Sequence, residues 1–247
     1  MKKLLSALLV LAMLAVCCTA FAENYIIATD TAFRPFEFAD ESGKMIGIDM
    51  DLLAAIAENQ GFTYDLQVLG WDASIAACQA GQADGMIAGA SITEERKANG
   101  WIFSDGYYNA TQSMAVQAGS SVSGFSDLAG KTVAVKNGTM SDAYATSLKD
   151  TYGFEVSRME SSPDIYQAVI TGACIACFDD TPIMADYIKS NGVPLQLVEG
   201  TANEGADYGF AVFSDSKQEL VDKFNAGLEE LKANGTYDAI IAKYLGE

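Results

Sequence analysis

Strand-like and helix-like segments alternate along most of the chain, and this alternation limits the fold more than any other feature. Residues 25–28 and 132–135 are apolar runs typical of buried strands, whereas residues 50–60 have the pattern of a helix that Asp49 caps and Gly61 ends. Strands that alternate with helices predict a parallel or mixed sheet covered by helices. The chain is therefore predicted to be an α/β protein.

Capping residues predict where further helices begin. Thr93 precedes two acids, Thr181 precedes a proline, Ser216 and Glu219 have the spacing of a capping box, and Thr236 precedes the last apolar segment. Ser and Thr at these positions accept hydrogen bonds from the first free amides of a helix. Each of these residues is predicted to be an N-cap.

The first 22 residues have the pattern of an export signal. Lys2 and Lys3 precede an apolar run over residues 4–16, and Ala20-Phe21-Ala22 is a small-x-small cleavage site. The apolar run is shorter than the ~20 residues that a transmembrane helix needs. We expect cleavage after Ala22 and location in the periplasm or at the outer face of the cytoplasmic membrane. A lipid anchor on Cys17 is the alternative, although Val16 is an unusual residue before such a cysteine.

Composition excludes several kinds of function. The chain has 33 acidic residues, 15 basic residues and no histidine, with a formal net charge of −18. Without histidine it has no Ser-His-Asp or Cys-His catalytic set and no histidine-ligated zinc. The acidic charge disfavours nucleic acids and anionic membranes as partners. We predict no catalytic residues, no metal and no cofactor.

Cleavage would leave Cys78, Cys174 and Cys177, and the last two have Cys-x-x-Cys spacing. In an oxidising compartment this spacing raises a redox hypothesis. Residues 173–178 are small and apolar, however, which is typical of a buried strand in which cysteine packs as a small hydrophobe. Buried thiols are the favoured interpretation.

Three segments carry more polar and aromatic side chains than packing requires. Residues 30–38, 88–96 and 178–182 each follow or end a predicted strand, where open α/β sheets place their ligands. The second segment runs into a helix N-terminus, whose free amides suit a carboxylate. Asp179 and Asp180 in the third would suit general acid and base chemistry, but helix caps and cation ligands are commoner uses of such a pair.

These segments resemble the extracytoplasmic solute-binding proteins of ABC-type polar amino-acid importers, solute-binding family 3, and most closely its glutamine-binding members. The resemblance covers nearly all of residues 24–246. It rests on these motifs: Ala28-Thr29-Asp30-Thr31-Ala32-Phe33 with Pro35-Phe36-Glu37-Phe38, Gly47-Ile48-Asp49 before Asp51-Leu52, Ser91-Ile92-Thr93-Glu94-Glu95-Arg96-Lys97, Phe103-Ser104-Asp105-Gly106-Tyr107-Tyr108, Val133-Ala134-Val135-Lys136 with Gly138-Thr139, and Asn234-Gly235-Thr236-Tyr237.

The resemblance implies a periplasmic-binding-protein-like type II fold, in which two α/β lobes of mixed sheets and helices close on one ligand. Lobe one would comprise residues 23–108 and 208–247, and lobe two residues 112–203. The two hinge crossings would fall at residues 109–111 and 204–207.

The resemblance also implies ten ligand-binding residues. Arg96 would bind the α-carboxylate with the Ser91 and Met140 amides, because a planar guanidinium matches a carboxylate. Asp180 would pair with the α-ammonium, assisted by the Gly89 carbonyl and the Ser91 hydroxyl. The remaining side chains would enclose the ligand side chain, with Phe33 and Trp71 on its faces and Asp30, Lys136 and Asp179 at its end. Without the motif, a solvated Arg96 and a core Trp71 would be the ordinary interpretations.

Two departures from the glutamine-binding pattern affect specificity. Asp179 stands where those members have histidine, and Met140 where they have glycine. The extra acid makes a cationic side chain plausible, and the methionine narrows the pocket.

We therefore expect capture of a polar L-amino acid, glutamine first and a basic amino acid second, for delivery to an ABC permease by a monomeric receptor. The rival from another class is an enzyme of the same fold, such as a cyclohexadienyl-type dehydratase.

Overall fold

A computed structural model describes residues 23–246, so the predicted export signal and Cys17 lie outside the described residues. The described residues form two α/β lobes, each built on a five-stranded sheet. Eight helices cover the two sheets, and none of those within residues 23–246 is long and apolar enough to cross a membrane. The predicted α/β class is confirmed.

The bounds of the elements are as follows. The strands are β1 Asn24–Thr29, β2 Ala32–Phe33, β3 Glu37–Ala39, β4 Met45–Ile46, β5 Thr63–Val68, β6 Gly85–Met86, β7 Ile102–Phe103, β8 Tyr108–Ala110, β9 Gln112–Gln117, β10 Thr132–Lys136, β11 Glu155–Met159, β12 Ala176–Asp180, β13 Leu195–Leu197, β14 Ala206–Tyr208 and β15 Ala211–Val212. The helices are α1 Ile48–Gln60, α2 Trp71–Gln79, α3 Glu94–Ala98, α4 Met140–Tyr152, α5 Ser162–Ile170, α6 Thr181–Asn191, α7 Gln218–Ala233 and α8 Thr236–Leu245.

The sheet of the first lobe joins both ends of the described chain. Its strand order is β5-β1-β6-β15-β7, with β1 parallel to β5 and β6, and β15 antiparallel to its two neighbours. Helix α7 packs on α1, and the apolar face of α7 predicted from the sequence is buried there, at Leu220, Phe224, Leu228 and Leu231. The core of this lobe therefore needs residues from both ends of the chain.

The second lobe is continuous in sequence. Its strand order is β11-β10-β12-β9-β13, with β10 parallel to β11 and β12, and β9 antiparallel to β12 and β13. Phe178 on β12 lies at the centre of its core and stacks on Phe125 and Phe154. The two acids that follow Phe178 are thereby held at the end of a buried strand.

A two-stranded ribbon of β8 and β14 joins the lobes. Its register pairs Tyr108 with Tyr208 and Asn109 with Asp207. The predicted crossings at residues 109–111 and 204–207 lie in or next to this ribbon. The division of the chain at those residue numbers stays a prediction.

Several predicted helix starts are displaced. Asp49 lies inside α1, whose N-cap is Gly47, and α8 begins after Gly235, so Thr236 is its first residue. Ser216 lies in a 3₁₀ turn that the Ser214 side chain caps, so the predicted capping box does not form. Thr93, in contrast, is an N-cap as predicted, and its side chain accepts a hydrogen bond from the Arg96 amide.

The three cysteines of the described residues, Cys78, Cys174 and Cys177, are free and buried. Burial raises the pKa of Cys78 to about 12 and that of Cys177 well above its ordinary value. A protonated thiol is a poor nucleophile and a poor metal ligand.

Candidate functional site

The cleft between the lobes contains the predicted ligand-binding residues. Strands β1, β6, β10 and β12 end at this cleft, and the loops and helix starts that follow them supply its walls. The structure brings all ten predicted residues together there. One cavity is lined by Phe33, Trp71, Gly89, Ser91, Arg96, Lys136, Met140, Asp179 and Asp180, and Asp30 contacts Lys136 at its end.

Arg96 forms the cationic side of the cavity. It lies on the five-residue helix α3, and its guanidinium donates to the Ser91 carbonyl at 2.8 Å and, across the cleft, to the Gly138 carbonyl at 3.3 Å. Its Cζ atom is 5.0 Å from the ring centres of both Trp71 and Trp101. Burial lowers the pKa of Arg96 to about 10, so it stays protonated at neutral pH. The aromatic rings and carbonyls hold a flat cation against the cavity.

The N-terminus of α4 lies beside this cation. Met140 is the first residue of α4, and the Thr139 side chain accepts a hydrogen bond from the Asp142 amide as the N-cap. The first amides of a helix have no intrahelical acceptor, and the helix dipole favours an anion at this end. Together with Arg96 this end of the cavity suits a carboxylate.

Asp180 forms the anionic side. Its carboxylate accepts hydrogen bonds from Gln112 at 2.8 Å, from Ser141 at 3.1 Å and from the Tyr208 hydroxyl. Burial, with a contribution from neighbouring Asp179, raises the pKa of Asp180 to about 6. Asp180, and not Thr181 as predicted, occupies the N-cap position of α6, but its side chain makes no cap hydrogen bond. The side chain instead presents its charge to the cavity.

A buried ion pair that joins the lobes closes the other end. Lys136 on β10 donates to Asp30, which follows β1, and the two residues are 2% and 3% exposed. The Lys136 ammonium is also 4.9 Å from the Phe33 ring centre and 5.7 Å from that of Trp71. A ligand that reaches this end therefore meets both a cation and an acid, which pair with each other in its absence.

Asp179 adds a second acid near Lys136. It accepts hydrogen bonds from the Tyr166 hydroxyl at 2.6 Å and from the Asp180 amide at 2.9 Å. Burial raises the pKa of Asp179, whereas the Tyr166 hydrogen bond and the charge of Lys136 lower it. The charge at this end therefore depends on whether Asp179 holds a proton.

Two aromatic residues supply flat apolar walls. Phe33 and Trp71 are each 5% exposed, and Phe33 lies directly against Gly89. Gly89 has φ +53°, and a Cβ atom there would lie 2.5 Å from the Phe33 ring. Only glycine permits this backbone conformation and this approach together.

Sequence reasoning missed the residues that hold the charged side chains of the cavity in place. Tyr208, Gln112 and Ser141 hold Asp180, Tyr166 holds Asp179, and Trp101 stacks on Arg96. These partners come from different elements, and no local pattern in the sequence marks them. Strand pairing would have placed Tyr208 near the cleft only once the β8–β14 ribbon was known.

The geometry supplies a binding cleft with one charge for each end of a zwitterion. No group of three or more His, Cys, Asp or Glu residues within residues 23–246 is arranged to hold a metal ion. A protein-family model described as bacterial extracellular solute-binding proteins, family 3, matches residues 25–247. The chain belongs to this family.

Curated relatives of this solute-binding protein are named for arginine or histidine. A protein of Neisseria gonorrhoeae named as a probable histidine-binding protein is 31% identical, and the alignment covers 90% of this chain and 83% of that one. The arginine-binding extracellular protein ArtP of Bacillus subtilis is 29% identical, with 90% and 86% covered.

Solved structures share the type II periplasmic-binding-protein fold. An ancestral arginine-binding protein bound to arginine has a TM-score of 0.83 at 35% identity, covering 90% of this chain and 97% of that one. An ancestral arginine-binding protein bound to glutamine gives 0.83 at 35% identity, with 92% and 100% covered. The second substrate-binding domain of Lactococcus lactis GlnP in its open conformation gives only 0.63 at 37% identity, with 93% and 98% covered. The lobes of this solute-binding protein are therefore arranged as in the ligand-bound relatives.

Proposed function

We propose that this solute-binding protein captures one polar L-amino acid, glutamine in preference to others, outside the cytoplasm and delivers it to the permease of an ABC importer. It acts as a monomer after removal of residues 1–22. Arg96 with the α4 N-terminus binds the α-carboxylate, and Asp180 binds the α-ammonium. The single observation that carries the proposal is this pair of opposite charges on facing walls of one buried cleft.

The choice of glutamine rests on the buried Lys136–Asp30 pair. A side-chain amide accepts a hydrogen bond from an ammonium through its oxygen and donates to a carboxylate through its nitrogen. Glutamine can therefore bond to both members of the pair, whereas a purely apolar side chain can bond to neither and would leave Lys136 and Asp30 with only each other at this end of the cavity.

A basic amino acid is the second candidate because of Asp179. When Asp179 is ionised, Asp30 and Asp179 together carry two negative charges against the one positive charge of Lys136. The curated relatives named for arginine and histidine favour the same alternative. Asp179 and the names of the relatives therefore support a basic amino acid, whereas the Lys136–Asp30 pair supports glutamine.

Binding drives closure because the ligand contacts come from both lobes. Arg96, Phe33 and Trp71 belong to the first lobe, and Lys136 and Asp180 to the second. A ligand that contacts both lobes binds the closed arrangement more tightly than the open one, and only this difference in affinity shifts the equilibrium.

Replacing Arg96 with Ala tests the receptor assignment. The variant loses charge-assisted hydrogen bonds to the carboxylate, so we expect amino-acid affinity to fall by at least about 100-fold. Isothermal titration calorimetry measures this directly. The control is Lys97→Ala, which removes an exposed cation of the same helix that pairs with Glu94 at 2.9 Å. Unchanged affinity in Arg96→Ala, or steady turnover of a prephenate-like substrate by the wild type, would contradict the receptor.

Replacing Lys136 with Met tests the choice of ligand. Without the ammonium, Asp30 and Asp179 remain as acids, so we expect glutamine affinity to fall by about tenfold or more and arginine to become the preferred ligand. A thermal-shift screen over the twenty amino acids ranks the ligands of both proteins. Lys131→Met, an exposed lysine one residue before the same strand, is the control. If the wild type prefers arginine, the choice of glutamine is wrong, but the assignment as an amino-acid receptor stands.

A further inference from the structure

Two carboxyl groups are buried behind the ligand pocket with few hydrogen-bond partners. Glu37 on β3 and Asp49 on α1 are both 0% exposed, and the hydroxyl of Tyr107, which is 1% exposed, lies beside them. Neither acid belongs to the set that faces the ligand cavity. A buried acid normally has a compensating cation or several donors, so the pair needs a physical explanation.

The hydrogen bonds of the pair are incomplete if both acids are ionised. Asp49 Oδ2 accepts the N–H of Gly89 at 2.9 Å. Among the described residues no donor reaches Asp49 Oδ1 or either carboxyl oxygen of Glu37, and the Tyr107 hydroxyl also lacks a partner. Ionised carboxylates only accept hydrogen bonds, so they cannot satisfy each other. A proton on Glu37 turns it into a donor for Asp49.

The surrounding charges favour keeping that proton. Burial is the main cause that raises the pKa of Glu37 well above its ordinary value, and the charges of Asp49 and Asp30 add to it, whereas Lys136 lowers it. Burial raises the pKa of Asp49 to about 6, and the hydrogen bond from the Gly89 amide opposes the increase. Two adjacent buried acids cannot both ionise without a large electrostatic cost.

We propose that Glu37 and Asp49 hold one proton between them, and that the pair positions the Ala88–Gly89 backbone at the ligand pocket. Glu37 donates to Asp49, and Asp49 keeps the negative charge that accepts the Gly89 amide. The structural part of this proposal is independent of the ligand, whereas its effect on affinity rests on the proposed function.

The backbone in question forms part of the pocket wall. Ala88 and Gly89 both line the cavity, and Gly89 is held between Phe33 on the cavity side and Asp49 behind it. In a trans peptide the carbonyl points opposite to the N–H of the same unit. By fixing the Gly89 N–H, Asp49 therefore fixes the direction of the Ala88 carbonyl and the start of the Gly89 turn.

The first test concerns the proton. At neutral pH we expect carbon NMR of the wild-type protein to show a protonated Glu37 Cδ, and infrared spectra to show a protonated carboxyl band. Glu37→Gln keeps a donor toward Asp49 without an acid, so the infrared band should disappear while amino-acid affinity stays within about twofold of the wild type. A Glu37 that titrates as an ordinary exposed acid would overturn the shared proton.

The second test concerns the backbone. Asp49→Ala removes the acceptor, so we expect the Gly89 amide to exchange with solvent at least about tenfold faster and glutamine affinity to fall about tenfold. Asp49→Asn restores an acceptor and should recover most of both. Asp51→Asn, an acid of the same helix that pairs with Lys243 at the surface, is the matched control.

The outcomes separate this proposal from the proposed function. If Asp49→Ala keeps Gly89 protection and affinity, the positioning role is wrong even though Arg96→Ala abolishes binding. If no amino acid binds the wild type, the proposed function fails, and the carbon NMR and exchange measurements still decide the role of the pair.

Discussion

Asp180 combines burial with an unusually complete set of hydrogen-bond donors. Gln112, Ser141 and Tyr208 donate to its carboxylate, which stabilises the ionised form, whereas burial and the neighbouring Asp179 destabilise it. These opposing effects leave the pKa of Asp180 at about 6, above its ordinary value of 3.8. A ligand ammonium would supply the missing cation.

This balance predicts that ligand binding weakens in acid. Asp180 must be ionised to pair with the ammonium, so affinity should fall by up to about tenfold for each pH unit below pH 6. Without ligand the sign is opposite for stability: the raised folded-state pKa contributes stability that is present below about pH 4 and is lost as the pH rises to about 6. The ligand-induced increase in Tm should therefore be larger at pH 8 than at pH 5.

Asp180→Asn is the control for this pH effect. It cannot titrate, so its residual affinity should lack the acid decrease, while the Tyr208 and Gln112 side chains keep a polar partner. An equal decrease in the variant would assign the effect to another group.

Among single residues, the sequence best predicts those whose roles depend on their neighbours along the chain. Arg96 and its cap Thr93 lie within one short motif, and both stand where the motif predicts. Tyr208 and Tyr166 were not predicted, because each meets its acid only through tertiary packing. Asp49 was predicted as a helix cap, since a short acid before an apolar run is typical of one, but burial places its carboxylate against the Gly89 amide.

Among the helices, the short helix α3 matters most for the proposed function because it contains Arg96. Of its five residues, Arg96 is partly buried and the other four are exposed, so packing contributes little to its stability. The Thr93 side chain bonds to the amide of Arg96 itself at 3.1 Å. The cap therefore helps to orient the residue that we propose binds the carboxylate.

Thr93→Ala should consequently weaken binding as well as folding. We expect a loss of about 1 kcal/mol in the free energy of unfolding, typical of a lost N-cap, and a fall of severalfold in amino-acid affinity. Denaturant unfolding and calorimetry measure the two effects. Ser214→Ala, which removes the exposed side-chain cap of the 3₁₀ turn before α7, should reduce stability alone. Equal affinity losses in both variants would exclude a specific role for the Thr93 cap.

The starts of the helices show why the sequence predicts which helices form but not where each one begins. Helix α1 begins after Gly47, where φ is +133° and a Cβ atom would lie 2.0 Å from the Phe36 carbonyl oxygen. This close backbone approach sets the start of the helix, and it involves a residue eleven positions away. A capping rule that reads only neighbouring residues favours Asp49 instead.

Across the whole molecule, a few polar contacts join the facing surfaces of the lobes. Arg34 pairs with Asp186 at 2.7 Å, and Asn137 donates to Asp72 at 2.9 Å. Lys136 and Tyr208 make the two buried contacts already described, with Asp30 and Asp180. Each of these contacts joins a residue of the first lobe or of the ribbon to a residue of the second lobe, so they exist only while the lobes are together.

Removing one exposed contact should shift the lobe equilibrium without changing the pocket. Arg34 is 45% exposed, and exposed ion pairs contribute about 0–1 kcal/mol, so Arg34→Ala should reduce affinity by no more than about fivefold. Small-angle X-ray scattering should show a larger radius of gyration before ligand addition and an unchanged one at saturation. Lys149→Ala, which removes an ion pair within the second lobe, should change neither. An unchanged radius in Arg34→Ala would show that this pair does not stabilise closure.

The two-lobe architecture was predictable only through the resemblance. The alternation of strands and helices predicted an α/β fold, but it could not show that the short strand Ala211–Val212 inserts between two strands that precede it by more than a hundred residues. Strand order depends on long-range pairing, which hydrophobic periodicity does not encode.

That inserted strand also fixes an order of events during synthesis. The sheet of the second lobe is complete once residue 197 has been made, but the first lobe still lacks β15 and the helix that packs on α1. A chain emerging from the ribosome, or threading through a translocation channel, therefore has no finished first-lobe core until nearly its last residues appear. Late completion of the first lobe keeps its amino-terminal segment unfolded for longer, and an unfolded segment can pass through a narrow pore.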